Sequence, residues 1–408
     1  MRFLARGLVS LCAAGLLALG AGGGTAAAAA PARECAGIGA AGGVFKTVGP
    51  PALFWLENAG FDGRGGMWIS ELFQNRLVRF DARGEPGVGI PVPSPGASLL
   101  GPDGLMYVLY GNSPVSGLSP GGSGVLRFDP AAASPVAETF TTGLQMANGA
   151  AFDAAGNLYV GETTKTGLTK IRRDGTVDEA FAAATPVTGA DGVAVIGDTL
   201  YATLLTDLRS SIVRVPLSDP SAYTILTSLS PGGLPKLLDD VAVGPDGALY
   251  VAAGTGEVIR VDPVTGAACV AYQAPFPIDS IRFAAGFAPY EVARDAFITS
   301  ETGAIVHVRF SFPPGTGTGP AAAPAAMRLT VAPGRVRRGR TVTLRLTVRS
   351  PSASCRAGVR VRVGSTVART DARGRATLRV RFGAIGRRTL TATRTGCRRA
   401  RATVRVTR

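Results

Sequence analysis

The chain has 408 residues, with 43 Lys and Arg against 28 Asp and Glu, one His, five Cys and a net charge of +15. That length gives two or three domains and ample chain to bury cores. One histidine argues against Ser-His-Asp or Cys-His nucleophilic chemistry, and no cysteines are spaced for zinc.

Residues 1–32 read as a secretory signal peptide. Arg2 and Arg6 precede an apolar run from Leu8 to about Ala21, a Gly/Ala-rich stretch follows, and cleavage is expected after Ala32. The run is too short for a membrane span, and no later stretch is long enough. An exported, soluble protein is therefore expected, secreted or associated with the cell wall. Setting aside Cys12 in the apolar segment leaves Cys35, Cys269, Cys355 and Cys397. An even count in an exported chain favours two disulfides, with free buried thiols as the alternative. Of the three pairings, the domain boundary below favours Cys35–Cys269 and Cys355–Cys397.

Residues 33–312 carry a repeat. At intervals of 39 to 52 residues an acid or amide opens a short apolar strand, ahead of a turn and a second strand. The clearest copies run from Asn148 to Val160, from Asp191 to Val195 and from Asp239 to Val251, with weaker ones at Glu57–Asp62 and Asp279–Phe283. A third strand follows with a shared ending, as in Leu77–Asp81, Leu126–Pro130, Val258–Pro263 and Val306–Phe310. Six units begin near residues 57, 96, 148, 191, 239 and 279. Strands in that rhythm, bounded by Gly, Pro and Asp, read as the blades of a six-bladed β-propeller. No amphipathic helical stretch stands out between residues 45 and 312. The sixth unit ends near Phe312 one strand short, and Gly43–Val48 is placed to supply that strand and remove an open edge.

Residues 313–326 are a linker rich in Pro, Gly, Ala and Thr. From Arg328 onward there are 23 Arg, no Lys and one acid, Asp371, for a net +22; taken from the total of +15, this leaves −7 for residues 1–327. The tail alternates apolar and polar residues, and residues 327–408 are expected to form a small β-sandwich of six or seven strands. It resembles the immunoglobulin-like modules appended to exported bacterial proteins, clamped by Cys355–Cys397. Two readings of the arginines stay open: anchoring to an anionic cell-wall polymer, or a soluble spacer shaped by GC-rich coding. Specific nucleic-acid recognition is disfavoured, because few aromatics interleave with the arginines.

In a closed propeller the opening residues of the units converge on one mouth of the central channel. They are Glu57, Gly96, Asn148, Asp191, Asp239 and Asp279. Crowded carboxylates raise one another's pKa unless a cation neutralises them. Oxygen ligands without nearby His or Cys select Ca²⁺, or else Mg²⁺ or Mn²⁺. The competing reading is that each acid caps its own turn. His307, on a third strand, reads as a packed or surface residue, and Glu71, Glu162 and Glu301 as solvated strand ends, with a rim around the mouth as the alternative.

Residues 43–312 resemble the SMP-30/gluconolactonase/LRE-like propellers. The resemblance implies a divalent cation held by Glu57, Asp191 and Asp239, with Asn148 facing substrate. It departs from the family where Glu-Gly-Pro is replaced by Glu57-Asn58-Ala59, where the fourth-blade Asn is Asp191, and where Asp279 adds charge. The implied activity is metal-dependent hydrolysis of lactones or related esters, with Asp239 as general base and Asn148 and Asp279 binding a small-molecule substrate. The alternative is a non-catalytic propeller that binds a ligand or partner and is docked to the cell surface by the basic module.

Overall fold

The computed structural model describes residues 33–313 except 52 and 120, and residues 325–408 except 351–355, 357, 365, 372, 395 and 396. The expected signal peptide, most of the linker, and Cys355 with its expected bond to Cys397 lie outside the described residues.

Residues 39–311 form six antiparallel sheets, five of four strands and one of three. Their first strands begin at Leu56, Ser98, Ala147, Ala190, Leu238 and Ser280; each contacts the next, and the last contacts the first. This closed ring is the six-bladed propeller expected from the repeat. Gly39–Thr47 completes the sixth blade, pairing antiparallel with Ala304–Ser311. The closing strand thus exists and begins four residues earlier than Gly43. The Cys35–Cys269 disulfide then ties its approach to the outer strand Ala268–Gln273 of blade five.

The turns between first and second strands show why the repeat is so legible. Asp153 Oδ1 accepts from the backbone N–H of Ala155 and Asn157, and its Oδ2 accepts from the Tyr159 hydroxyl at 3.1 Å. Asp103 and Asp246 hold Tyr107 and Tyr250 in the same way, and Asp62 takes the Trp68 indole N–H at 3.3 Å. An acid that satisfies turn donors and caps a buried aromatic specifies both the turn and the next strand.

Among the described residues, two short α-helices depart from the all-strand reading of the propeller: Pro114–Gly117 in blade two and Glu179–Ala184 in blade three. Each spans less than two turns, too short to impose a helical period on the sequence. Phe181 of the second packs on Tyr159 at 5.2 Å between ring centroids, beside the three-stranded blade.

In the C-terminal module, a three-stranded and a five-stranded sheet share one apolar core that includes Leu344, Leu346, Val361, Leu390 and Val404. The linker's last residues, Ala325–Ala326, pair in parallel with Cys397–Arg398.

Candidate functional site

The opening residues gather at the channel mouth, and in four of the six blades the backbone bends there. In blades one, three, four and five the register between first and second strands shifts between Leu56 and Ala59, Ala147 and Ala150, Ala190 and Val193, and Leu238 and Val241. Each bulge falls on the acid or amide, where such irregularities re-aim side chains. Main-chain carbonyls of three of these residues are latched by a hydroxyl from the preceding blade. Ser70 donates to Gly96 O at 2.6 Å, Thr203 to Asp239 O at 2.5 Å, and Thr299 to Glu57 O at 3.1 Å. Gly96 carries no polar side chain for a steric reason: a Cβ there would lie 2.9 Å from the carbonyls of Ala147 and Asn148.

Glu57, Asn148, Asp191 and Asp279 are buried, and Asp239 is half-buried. Asn112 Nδ2 donates to Glu57 Oε1 at 2.7 Å. Asn148 Nδ2 and Thr163 Oγ1 donate to Asp191 Oδ2 at 3.1 and 3.0 Å. These bonds hold Glu57 and Asp191 rigidly, yet among the described residues no Lys or Arg pairs with Glu57, Asp191, Asp239 or Asp279. Burial first, then mutual repulsion, sets their proton affinity. Burial pushes the Glu57 carboxyl up from 4.5 to about 7, against the pull of Asn112 and Asn148 and with the help of Asp240's charge. Asp191 and Asp239 are raised well above the usual range by burial and by neighbouring carboxylates, Glu57 foremost for Asp191 and Asp191 foremost for Asp239. Asp279 is raised by burial and then by Glu57 and Glu301. The Trp55 indole N–H opposes the shifts at Glu57 and Asp279 electrostatically, but has no hydrogen-bond partner of ordinary geometry.

The turn-capping alternative does not describe these acids. Asp191 Oδ1, Asp239 Oδ1 and Asp279 Oδ2 are buried without a hydrogen-bond partner, as are Asn58 Oδ1 and Asn112 Oδ1. Orphaned hard oxygens beside unneutralised carboxylates fit a divalent cation of the Ca²⁺ or Mg²⁺ kind in donor chemistry and charge. Among the described residues, no three His, Cys, Asp or Glu side chains stand as a formed metal-holding group.

Several residues at the mouth escaped the sequence. Asn112 restores an amide to blade two, from a loop 16 residues beyond Gly96. Asn58 and Asp240 follow the opening residues and are carried inward by the bulges. Asp240 is buried and paired with both terminal nitrogens of Arg282. The doublets Glu57-Asn58 and Asp239-Asp240 were the available signal. Glu71 and Glu162 are buried rather than solvated: Glu71 binds Arg76 at 2.7 Å, while Glu162 accepts from Gln145 N, Lys165 and Thr169. A strand end under a top loop is closed to water, and such carboxylates need partners. Glu301 is half-exposed. His307 is packed, as expected, bonding Asp295 at 2.8 Å between Tyr290 and Phe297. Outside this acidic interior, loops on the mouth side expose Leu53, Phe73, Val115, Leu118, Leu208 and Leu234.

No family model matches the chain, and no curated protein matches its sequence. Among solved structures, the gluconolactonase of Xanthomonas campestris is 14% identical with a TM-score of 0.50, over 67% of this chain and 90% of that one. A second structure, described provisionally as a gluconolactonase, is 16% identical with a TM-score of 0.50, over 68% of this chain and 94% of the other. At such identity the likeness is one of fold: residues 39–311 form an SMP-30/gluconolactonase-like β-propeller.

Proposed function

We propose that the propeller hydrolyses lactones or related esters with a divalent cation at its mouth, in an exported protein. The observation that carries this reading is a cluster of four carboxylates, three buried and one half-buried, with no basic partner among the described residues and with buried unpaired oxygens on Asp191, Asp239 and Asp279. Glu57, Asp191 and Asp239 would hold the cation, most simply Ca²⁺, which supplies Lewis-acid polarisation of a carbonyl and charge for a developing oxyanion.

The chain's own groups then have distinct tasks. Asp239 is the general base: its raised proton affinity suits it to take a proton from water, and it alone of these four residues is only half-buried. Asn112 and Asn148 fix Glu57 and Asp191 and spare them rotamer freedom. Asn148 and Asp279 face the substrate's polar end, and the apolar loops receive its hydrocarbon part. A substrate polar at the reacting group and apolar beyond it therefore suits this mouth better than a bare sugar lactone.

One observation favours the non-catalytic alternative: no metal-holding group of three is formed among the described residues. A calcium, magnesium and manganese titration by calorimetry, followed by a screen of lactones and aryl esters, separates the two readings. Tight binding of one cation, with hydrolysis that disappears in Asp239→Asn, supports the enzyme. Hydrolysis unchanged in that variant removes the mechanism, and the absence of hydrolysis leaves the binding propeller.

A further inference from the structure

The C-terminal module carries a surface that the propeller chemistry does not use. On the outer face of its five-stranded sheet, Arg335 stands opposite Arg405, and Arg405 opposite Arg387. Three exposed arginines thus lie side by side on three adjacent strands. At the usual strand spacing their stems fall within about 10 Å of one another. Exposed Thr389 and Thr403 pair on the same face, one pleat away. Arg360 stands opposite Arg369 at the other edge of the sheet.

Like charges directly opposite one another destabilise a sheet. No acidic side chain of the module relieves them: Asp371 is the only Asp or Glu after residue 327, and it is committed to its own turn through Arg373 N and Arg375 N. Such a row is stabilised by an anion that repeats at a matching interval. Guanidinium forks bind phosphate and carboxylate bidentately, and the threonine hydroxyls add donors between them. A stacking platform for nucleobases is missing, since Phe382 is the only aromatic after residue 327 and is buried.

We propose that Arg335, Arg387 and Arg405 form the binding site for a linear anionic polymer of sugar or polyol units bearing a phosphate or carboxylate on each repeat. Such a site would hold the propeller at a polyanionic surface.

The test measures binding of the full chain to polygalacturonate and to poly(glycerol phosphate) at about 0.15 M salt, where weak surface attraction is largely screened. Replacing the row with Arg335→Thr, Arg387→Thr and Arg405→Thr is expected to weaken binding at least about tenfold and flatten its salt dependence. Removing equal charge from the other sheet with Arg345→Thr, Arg379→Thr and Arg381→Thr should cost much less. A triple Arg→Lys change in the row keeps charge and strand pattern, and is expected to bind at an intermediate level because a point charge cannot fork. The proposal is overturned if both threonine variants lose affinity equally, if the lysine variant binds like the parent, or if neither polymer binds. Tighter binding to duplex DNA or to anionic lipid vesicles overturns it as well. Whichever polymer binds better identifies the anion.

Discussion

The buried carboxylates should make the metal-free protein more stable in mild acid than at neutral pH. Glu57 titrates near 4.5 when exposed and near 7 in the folded chain, so between those values the native state holds a proton that the unfolded state has released. Stability must then fall as pH rises through that window. For Glu57 alone the loss is about 3 kcal/mol at pH 7.5 and about 1 kcal/mol at pH 5, a difference of about 2 kcal/mol. At roughly 2–4 °C per kcal/mol for a domain of this size, Tm in chelator should be about 4–8 °C higher at pH 5. Asp191, Asp239 and Asp279 shift in the same direction and enlarge the effect. Glu57→Gln keeps an acceptor for Asn112 and removes the charge, so it should raise Tm at pH 7.5 in chelator and do little at pH 5. Calcium should stabilise the parent at pH 7.5 and the variant much less. Calorimetric melting of both proteins at the two pH values decides the matter. A parent Tm that is flat or lower at pH 5, or a Gln variant less stable than the parent at pH 7.5, would refute the reasoning.

Three further expectations concern the ring and its clamps. Asp239→Asn should lower kcat for lactone hydrolysis by about 10²–10⁴ while leaving circular dichroism unchanged, as removal of a general base does. Replacing Cys35 and Cys269 by Ser should cost about 2–4 kcal/mol in denaturant unfolding, because the bond closes a loop spanning 234 residues; an unchanged midpoint would show that the strand Gly39–Thr47 closes the ring unaided. Gly192→Ala should disturb the mouth, since its Cβ would sit 2.6 Å from Asp239 O; unaltered cation affinity and stability would show that the blades can spread there.

The blade count and the identity of the opening residues were legible because they follow from local chemistry. Asp153 specifies its turn and caps Tyr159 within a few residues, so the unit repeats visibly along the chain. The closing strand was legible for a related reason, as an edge left unpaired at Phe312 requires a partner. The short helices Pro114–Gly117 and Glu179–Ala184 were not, because neither is long enough to show a period.

What the sequence determined by itself was therefore the repeat, its all-β character, the acid or amide at five of six mouth positions, and the one-signed arginine tail. Only the tertiary structure decided which atoms meet. The bulges that turn Glu57, Asn148, Asp191 and Asp239 inward are relations between paired strands, and residue spacing does not encode them. The contact of Asn112 with Glu57 joins residues 55 apart in the chain, and the three-arginine row exists only through strand register. Local composition fixes which residue types a blade offers, and ring closure and register fix their neighbours. Those neighbours set the charge that each group can bear.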